Sequence, residues 1–397
     1  MTAKSAYHLL AKPAGAACNL GCQYCFFLSK ENLYPARESP LMPDDVLETY
    51  IRQLMESSFG PQVEVSWQGG EPMLRGIDFF RRSVALANKY WRPGLRVLHT
   101  IQTNGTLIDD EWAKFFKQNN YLVGVSIDGP RKMHDAFRVT KGGEDSFGDV
   151  IRGWNYLRKH KVDANILCTI HAANENHPLD VYRFFRDELK AEYIQLIPIV
   201  ERATPETVAL ANRGWGGLRG ADRPLYTQTG NLVTERSVKA DAFGRFLIAI
   251  FDEWVKRDVG RVFVVTFDVA LGSWLGQHNA CILSPTCGAS LVMEHNGDVY
   301  SCTITSNRTI VSAMCARRPS ATSFSPRNSG GSARRNTTRC RNTAASARCC
   351  SPATANARAT GSSGRRRAKR GSTISAKASQ TYLKFQRRSA AGRSCVG

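Results

Sequence analysis

Cys18-Asn-Leu-Gly-Cys22-Gln-Tyr24-Cys25-Phe26 gathers three cysteines in one short loop, directly after the apolar run Tyr7–Ala11. Thiolates select soft metals: zinc, Cu(I) or iron–sulfur. Zinc sites draw four ligands, often as spaced pairs. Three cysteines with no fourth nearby suit a [4Fe–4S] cluster with one open iron, the alternative being three buried apolar cysteines. The loop leaves the end of an expected strand, so the elements around it decide the fold.

Outward from this loop, short apolar runs alternate with amphipathic stretches up to about residue 200. The expected strands are Tyr7–Ala11, Val63–Trp67, Val97–Gln102, Leu122–Ile127, Asn165–Ile170 and Tyr193–Pro198. Between them, Asp45–Met55 sets Val46, Leu47, Tyr50, Ile51, Leu54 and Met55 on one helical face. Phe79–Tyr90, Glu111–Lys117, Asp149–Lys159 and Pro178–Leu189 read the same way. Strands alternating with helices predict βα units, a parallel sheet and right-handed crossovers. The fold class is α/β: a partial (βα)6 barrel, whose chemistry sits at the C-terminal ends of its strands. A further helix is expected over Ala242–Lys256, after a Gly- and Arg-rich loop at Asn212–Arg223.

The unusual residues fall at those strand ends. Trp67-Gln68-Gly69-Gly70-Glu71-Pro72 closes the second strand, and its paired glycines are expected to let backbone approach a ligand closely. Gln102-Thr-Asn104-Gly105 closes the third; Ser126-Ile-Asp128-Gly129-Pro130 closes the fourth and precedes His134 and Arg138. Taken singly, such residues are satisfied turn formers more often than ligands. Cys168 is expected to pack, and His8, His99 and His171 show no ligand spacing. Cysteines return at Cys281, Cys287 and Cys302, with the hairpin signal Asn296-Gly297 between the last two.

These motifs together resemble the radical S-adenosylmethionine (SAM) superfamily, and within it the anaerobic sulfatase-maturating enzymes, over residues 5–302. The resemblance implies a [4Fe–4S] cluster on Cys18, Cys22 and Cys25, whose open iron holds the amino and carboxylate groups of SAM. Reductive cleavage of SAM then yields a 5′-deoxyadenosyl radical. Gly69, Gly70 and Glu71 would hold the SAM amino group. Ser126 and Arg138 would bind its hydroxyls and carboxylate, Val200 would line the adenosine site, and Tyr24 and Gln68 would face the cofactor or substrate pocket. Cys281, Cys287 and Cys302 resemble the start of a SPASM domain and would ligate the first of the auxiliary [4Fe–4S] clusters. The implied reaction oxidises a Cys or Ser side chain of a sulfatase polypeptide to Cα-formylglycine. An electron donor such as flavodoxin or ferredoxin would supply the reducing equivalent. Other readings are another SPASM-type peptide modifier, such as a thioether-forming enzyme, a cluster-binding chain without peptide oxidation, and a nucleic-acid binder using an Arg-rich tail.

Charge separates the C-terminal part from the rest. The 397 residues carry a formal +20, but 20 of the 54 Lys and Arg, and none of the 34 Asp and Glu, lie from Thr303 onward. Residues 1–302 are therefore neutral, which argues against a globally basic nucleic-acid-binding fold. No apolar run suits a membrane span and no export signal is read at Met1–Ala17, so the expected location is cytoplasmic. In the family an Asp acting as general base follows the third auxiliary cysteine; here that position is Thr303, and the later cysteines have the wrong spacing. Loss of one G after the Cys302 codon accounts for these facts together: codons allowed for Arg339–Ala344, read one frame over, spell Leu-Pro-Gln-Tyr-Cys. A genuine disordered basic tail is the alternative. The expected organisation is a core barrel at 1–235, a linker helix and partial SPASM domain at 236–302, and a basic, disordered tail at 303–397.

Overall fold

The computed structural model describes residues 8–34, 39–58, 60–214, 229–275, 290–300 and 311–314. The strands β1 (His8–Ala11), β2 (Gln62–Trp67), β3 (Arg96–Thr103), β4 (Tyr121–Ser126), β5 (Asp163–Ile170) and β6 (Tyr193–Pro198) lie side by side in chain order. Every neighbouring pair among them is parallel. The alternating units expected from the sequence are thus present, with ends shifted by one or two residues.

Helices follow the apolar spacing. Asp44–Ser57 buries Leu47, Tyr50, Ile51, Leu54 and Met55 along one stripe, and Ile77–Lys89 buries Phe79, Phe80, Leu86 and Ala87. Asp110–Gln118 begins at Asp109, whose side chain accepts the N–H of Trp112 and caps the helix. Phe147–Lys159 is the next helix. The stretch expected as one helix over Pro178–Leu189 divides into Pro178–Arg183 and a π turn, Phe184–Glu188. Between helices and sheet lies an aromatic core, in which Trp67 meets Tyr50, Phe79 and Phe80 edge to face.

The sheet is wider than six strands. Beyond a small pair, β7 (Arg202–Ala203) and β8 (Leu232–Val233), β9 (Phe263–Val264) adds in parallel beside β6. The long helix Ala240–Arg257 precedes β9 and Val265–Trp274 follows it. At the opposite edge β10 (Ser290–Met293) pairs in parallel with β1, and β11 (Asp298–Tyr300) turns back on it through Asn296-Gly297, as the hairpin signal predicts. Within the stretch expected to be disordered, β12 (Val311–Met314) pairs antiparallel with β11. An unpaired strand edge offers a row of backbone donors and acceptors to any extended segment. Among the described residues no helix is long and apolar enough to cross a membrane.

One ion pair fastens the hairpin to the barrel. Lys12, immediately after β1, donates its backbone N–H to Met293 O at 2.9 Å. Its ammonium pairs with Glu294, both side chains being buried, and lies 5.1 Å over the ring of Phe27. Removing one member of such a pair strands the other charge in a medium of low dielectric. We expect Lys12→Met to lower stability by about 3–5 kcal/mol in urea unfolding, and Lys12→Met combined with Glu294→Leu to recover most of that loss.

Candidate active site

The cysteine loop is held by backbone bonds from two sides. On one, Gln68, Gly70 and Glu71 donate their N–H groups to Ala11, Gly15 and Ala17 carbonyls at 3.0, 3.0 and 2.8 Å. On the other, Gly21 and Gln23 donate to Val139 and Phe137 carbonyls at 2.8 and 3.0 Å. A Cβ on Gly70 would stand 2.1 Å from Ala17 O, and one on Gly69 2.6 Å from Gly15 O. Gly69 also has φ +134°. The paired glycines therefore admit the cysteine loop itself.

Cys18, Cys22 and Cys25 are free thiols, Cys22 buried and the other two half-buried. Burial pushes the Cys22 thiol up to about 12; Arg138 opposes that shift and the neighbouring Cys25 adds to it. Burial likewise raises Cys18 well above the ordinary thiol value, with Glu71, Cys25 and Cys22 acting in the same direction. Three thiols that oppose one another's ionisation form a site that a polycationic centre stabilises, and loading it must release protons. In an iron–sulfur cubane each cysteine holds a separate iron, so this donor set fits such a cluster.

Asp128, fully buried just past β4, gathers much of the remaining polarity. Its carboxylate accepts Arg138 Nε at 2.8 Å and Nη2 at 3.1 Å, the Thr169 N–H at 2.9 Å, and the hydroxyl of Tyr24 from within the cysteine loop. His171 Nε2 lies 3.5 Å away. Burial alone would raise this carboxyl; Arg138 and His171 outweigh it and hold it well below the usual carboxylate range. Burial pushes the Tyr24 phenol well up, so Tyr24 is a neutral donor. The Arg138 fork, expected to take a cofactor carboxylate, grips Asp128 in this structure.

Glu71 is also fully buried. It accepts the Met73 N–H at 3.0 Å, the Thr103 hydroxyl at 2.8 Å and the Asn104 N–H at 2.8 Å. Burial raises its carboxyl to about 7 against the pull of those bonds. Its side chain thus ties the end of β2 to the end of β3. Ser126 accepts Gln102 Nε2 at 3.1 Å. Gln68 follows β2 and Val200 follows β6, where Val200 is exposed.

All these groups stand at one edge of the parallel sheet, the C-terminal ends of its strands. Cys281, Cys287, Cys302 and Thr303 lie outside the described residues. Cys168 is core, as expected. Asp128, Thr169, His171 and Asn104 were given no role from sequence; the available signal was a polar residue at each strand end, where a buried apolar one would otherwise stand. We expect Glu71→Gln to cost about 1–3 kcal/mol, because its amide nitrogen would face the Asn104 N–H donor to donor. Gly70→Ala should unseat the loop, read as faster alkylation of the buried Cys22.

Comparison with known proteins agrees with this geometry. The radical SAM superfamily model matches residues 13–185. The serine-type anaerobic sulfatase-maturating enzyme of Bacteroides thetaiotaomicron is 43% identical over 301 residues, covering 74% of this chain and 69% of the relative. The cysteine-type enzyme of Clostridium perfringens is 33% identical over 297 residues, 74% of this chain and 73% of its own. The solved structure "Native anSMEcpe with bound AdoMet and Cp18Cys peptide" superposes with a TM-score of 0.65 at 30% identity, over 78% of this chain and 77% of that one. With a cysteine loop, strand order and strand-end motifs of this kind, the chain belongs to the anaerobic sulfatase-maturating enzymes of the radical SAM superfamily.

Proposed function

We propose that this chain is a radical SAM oxidoreductase acting on a Cys or Ser side chain of a sulfatase polypeptide, with Cα-formylglycine as the product. The observation that carries the reading is the three-cysteine loop, seated against Gly69 and Gly70 and tied through Tyr24 to the buried Asp128–Arg138 pair. Cys18, Cys22 and Cys25 would hold a [4Fe–4S] cluster, which with SAM supplies one-electron hydrogen-abstraction chemistry.

The chain's own groups prepare that site. Each thiol gives up a proton on loading, and at Cys22 the Arg138 guanidinium favours that loss more than Asp128 opposes it. Tyr24 stays protonated and orients the loop through its hydroxyl. Ser126, Gln68 and Val200 would line the mouth, Ser126 and Arg138 toward SAM and Gln68 toward the substrate. Water is kept from the interior of the polar network by full burial of Asp128, His134 and His171. Cys281, Cys287 and Cys302 would hold one auxiliary cluster in part, and an acidic carrier such as flavodoxin or ferredoxin would donate the electron, in the cytoplasm.

Thr303 stands where the family has its carboxylate base. A hydroxyl does not take a proton from a Cys or Ser side chain near neutral pH, so peptide oxidation by the chain as written should be absent or very weak. In anaerobically reconstituted protein we expect SAM cleavage to 5′-deoxyadenosine that is lost in Cys18→Ala, Cys22→Ala and Cys25→Ala. Formylglycine in a sulfatase peptide, read by mass spectrometry, should arise only after the frame beyond Cys302 is restored. A fully iron-loaded chain that leaves SAM intact would overturn the enzymatic reading; formylglycine from the chain as written would overturn the assignment of the missing base.

A further inference from the structure

Asn104, buried at the C-terminal end of β3, belongs to a closed ring of side chains that ends on a cysteine sulfur. Its Nδ2 donates to Asn19 Oδ1 at 2.8 Å and to Cys18 Sγ at 3.7 Å. Asn19 Nδ2 donates to Thr106 Oγ1 at 2.8 Å, and Thr106 Oγ1 donates to Asn104 Oδ1 at 2.7 Å. The direction of the ring is set from outside it. The Thr106 backbone N–H can only donate, and it reaches Asn104 Oδ1 at 3.0 Å. The atom turned toward Cys18 is therefore the amide nitrogen, with the carbonyl oxygen held away.

The Leu20 N–H reaches the same sulfur at 3.4 Å. As a thiol, Cys18 points a weak donor at Asn19 Oδ1, 3.9 Å away; ligation removes that proton and leaves the sulfur an acceptor only. Asn104 is itself fixed, since its own N–H is bound to Glu71 Oε2. Donors aimed at a ligating sulfur draw electron density from it and favour the more negative, reduced state of the centre.

We propose that Asn104 is a positioning residue for electron transfer: through its N–H···S bond to Cys18, oriented by Thr106 and Asn19, it raises the potential at which a cluster on Cys18, Cys22 and Cys25 accepts its electron. This rests on the reading that these cysteines hold such a cluster. Asn104→Leu keeps the side-chain volume and removes the donor; Asn104→Ala removes the donor without refilling the site; Thr106→Val loses the ring hydroxyl but keeps the backbone N–H that orients Asn104, and serves as a control.

The test is potentiometric titration of the reconstituted full-length chain with electron paramagnetic resonance as the readout. The barrel cluster is identified by the change that SAM makes to its signal. We expect all three variants to keep the parent's iron content, with the midpoint shifted to more negative values in Asn104→Leu and Asn104→Ala and by much less in Thr106→Val. An unchanged midpoint at full iron content in the Asn104 variants would overturn the proposal, and should Asn104→Leu fail to fold, Asn104→Ala decides. If the parent chain binds no iron that depends on Cys18, Cys22 and Cys25, the cluster reading falls, and this inference with it.

Discussion

No side chain fits between Gly70 and the carbonyl of Ala17, and the arrangement of the site depends on that contact. Backbone must meet backbone there for the residue 12–17 turn to continue the hydrogen-bonding of β1 onto the end of β2. Once it does, Cys18, Cys22 and Cys25 project from a loop held at both flanks. The same segment carries Glu71, whose carboxylate reaches on to Thr103 and Asn104 at the end of β3. One close approach thus couples three strand ends, and the thiols inherit the rigidity of the sheet.

Burial makes the polar groups around the loop interdependent. A carboxylate as deeply buried as Asp128 is tolerated only with its charge matched and its lone pairs occupied. Arg138 matches the charge; Tyr24, Thr169 and the two guanidinium bonds occupy the oxygens. Because Tyr24 belongs to the cysteine loop, the electrostatic requirement of Asp128 becomes a positional constraint on the thiols. The Lys12–Glu294 pair does the same between β1 and the hairpin that runs on toward Cys302.

The βα alternation was legible in the sequence because it is a local property. Strand alternation and the helical stripe of Leu47, Tyr50, Ile51 and Leu54 repeat within a few residues, and helix ends such as Asp109 carry their own caps. The added edge strands β9 and β10 were not legible as part of the barrel sheet. Phe263–Val264 is only two residues long, and nothing in Ser290–Met293 by itself specifies β1 as its partner.

By itself the sequence determined the six central strands and most of the helices between them, the three cysteines at the first strand end and the family to which their spacing points. Only the tertiary structure decided what each strand-end residue does. Tyr24 and Asp128 are separated by 104 positions, Cys18 and Asn104 by 86, and Lys12 and Glu294 by 282. Periodicity reports neighbours within a turn or two of chain, whereas these pairs are made by the lateral order of the sheet. Whether Arg138 meets a carboxylate of the chain, or Gly70 a loop, depends on which strand end lies alongside, and that is settled when the strands pack.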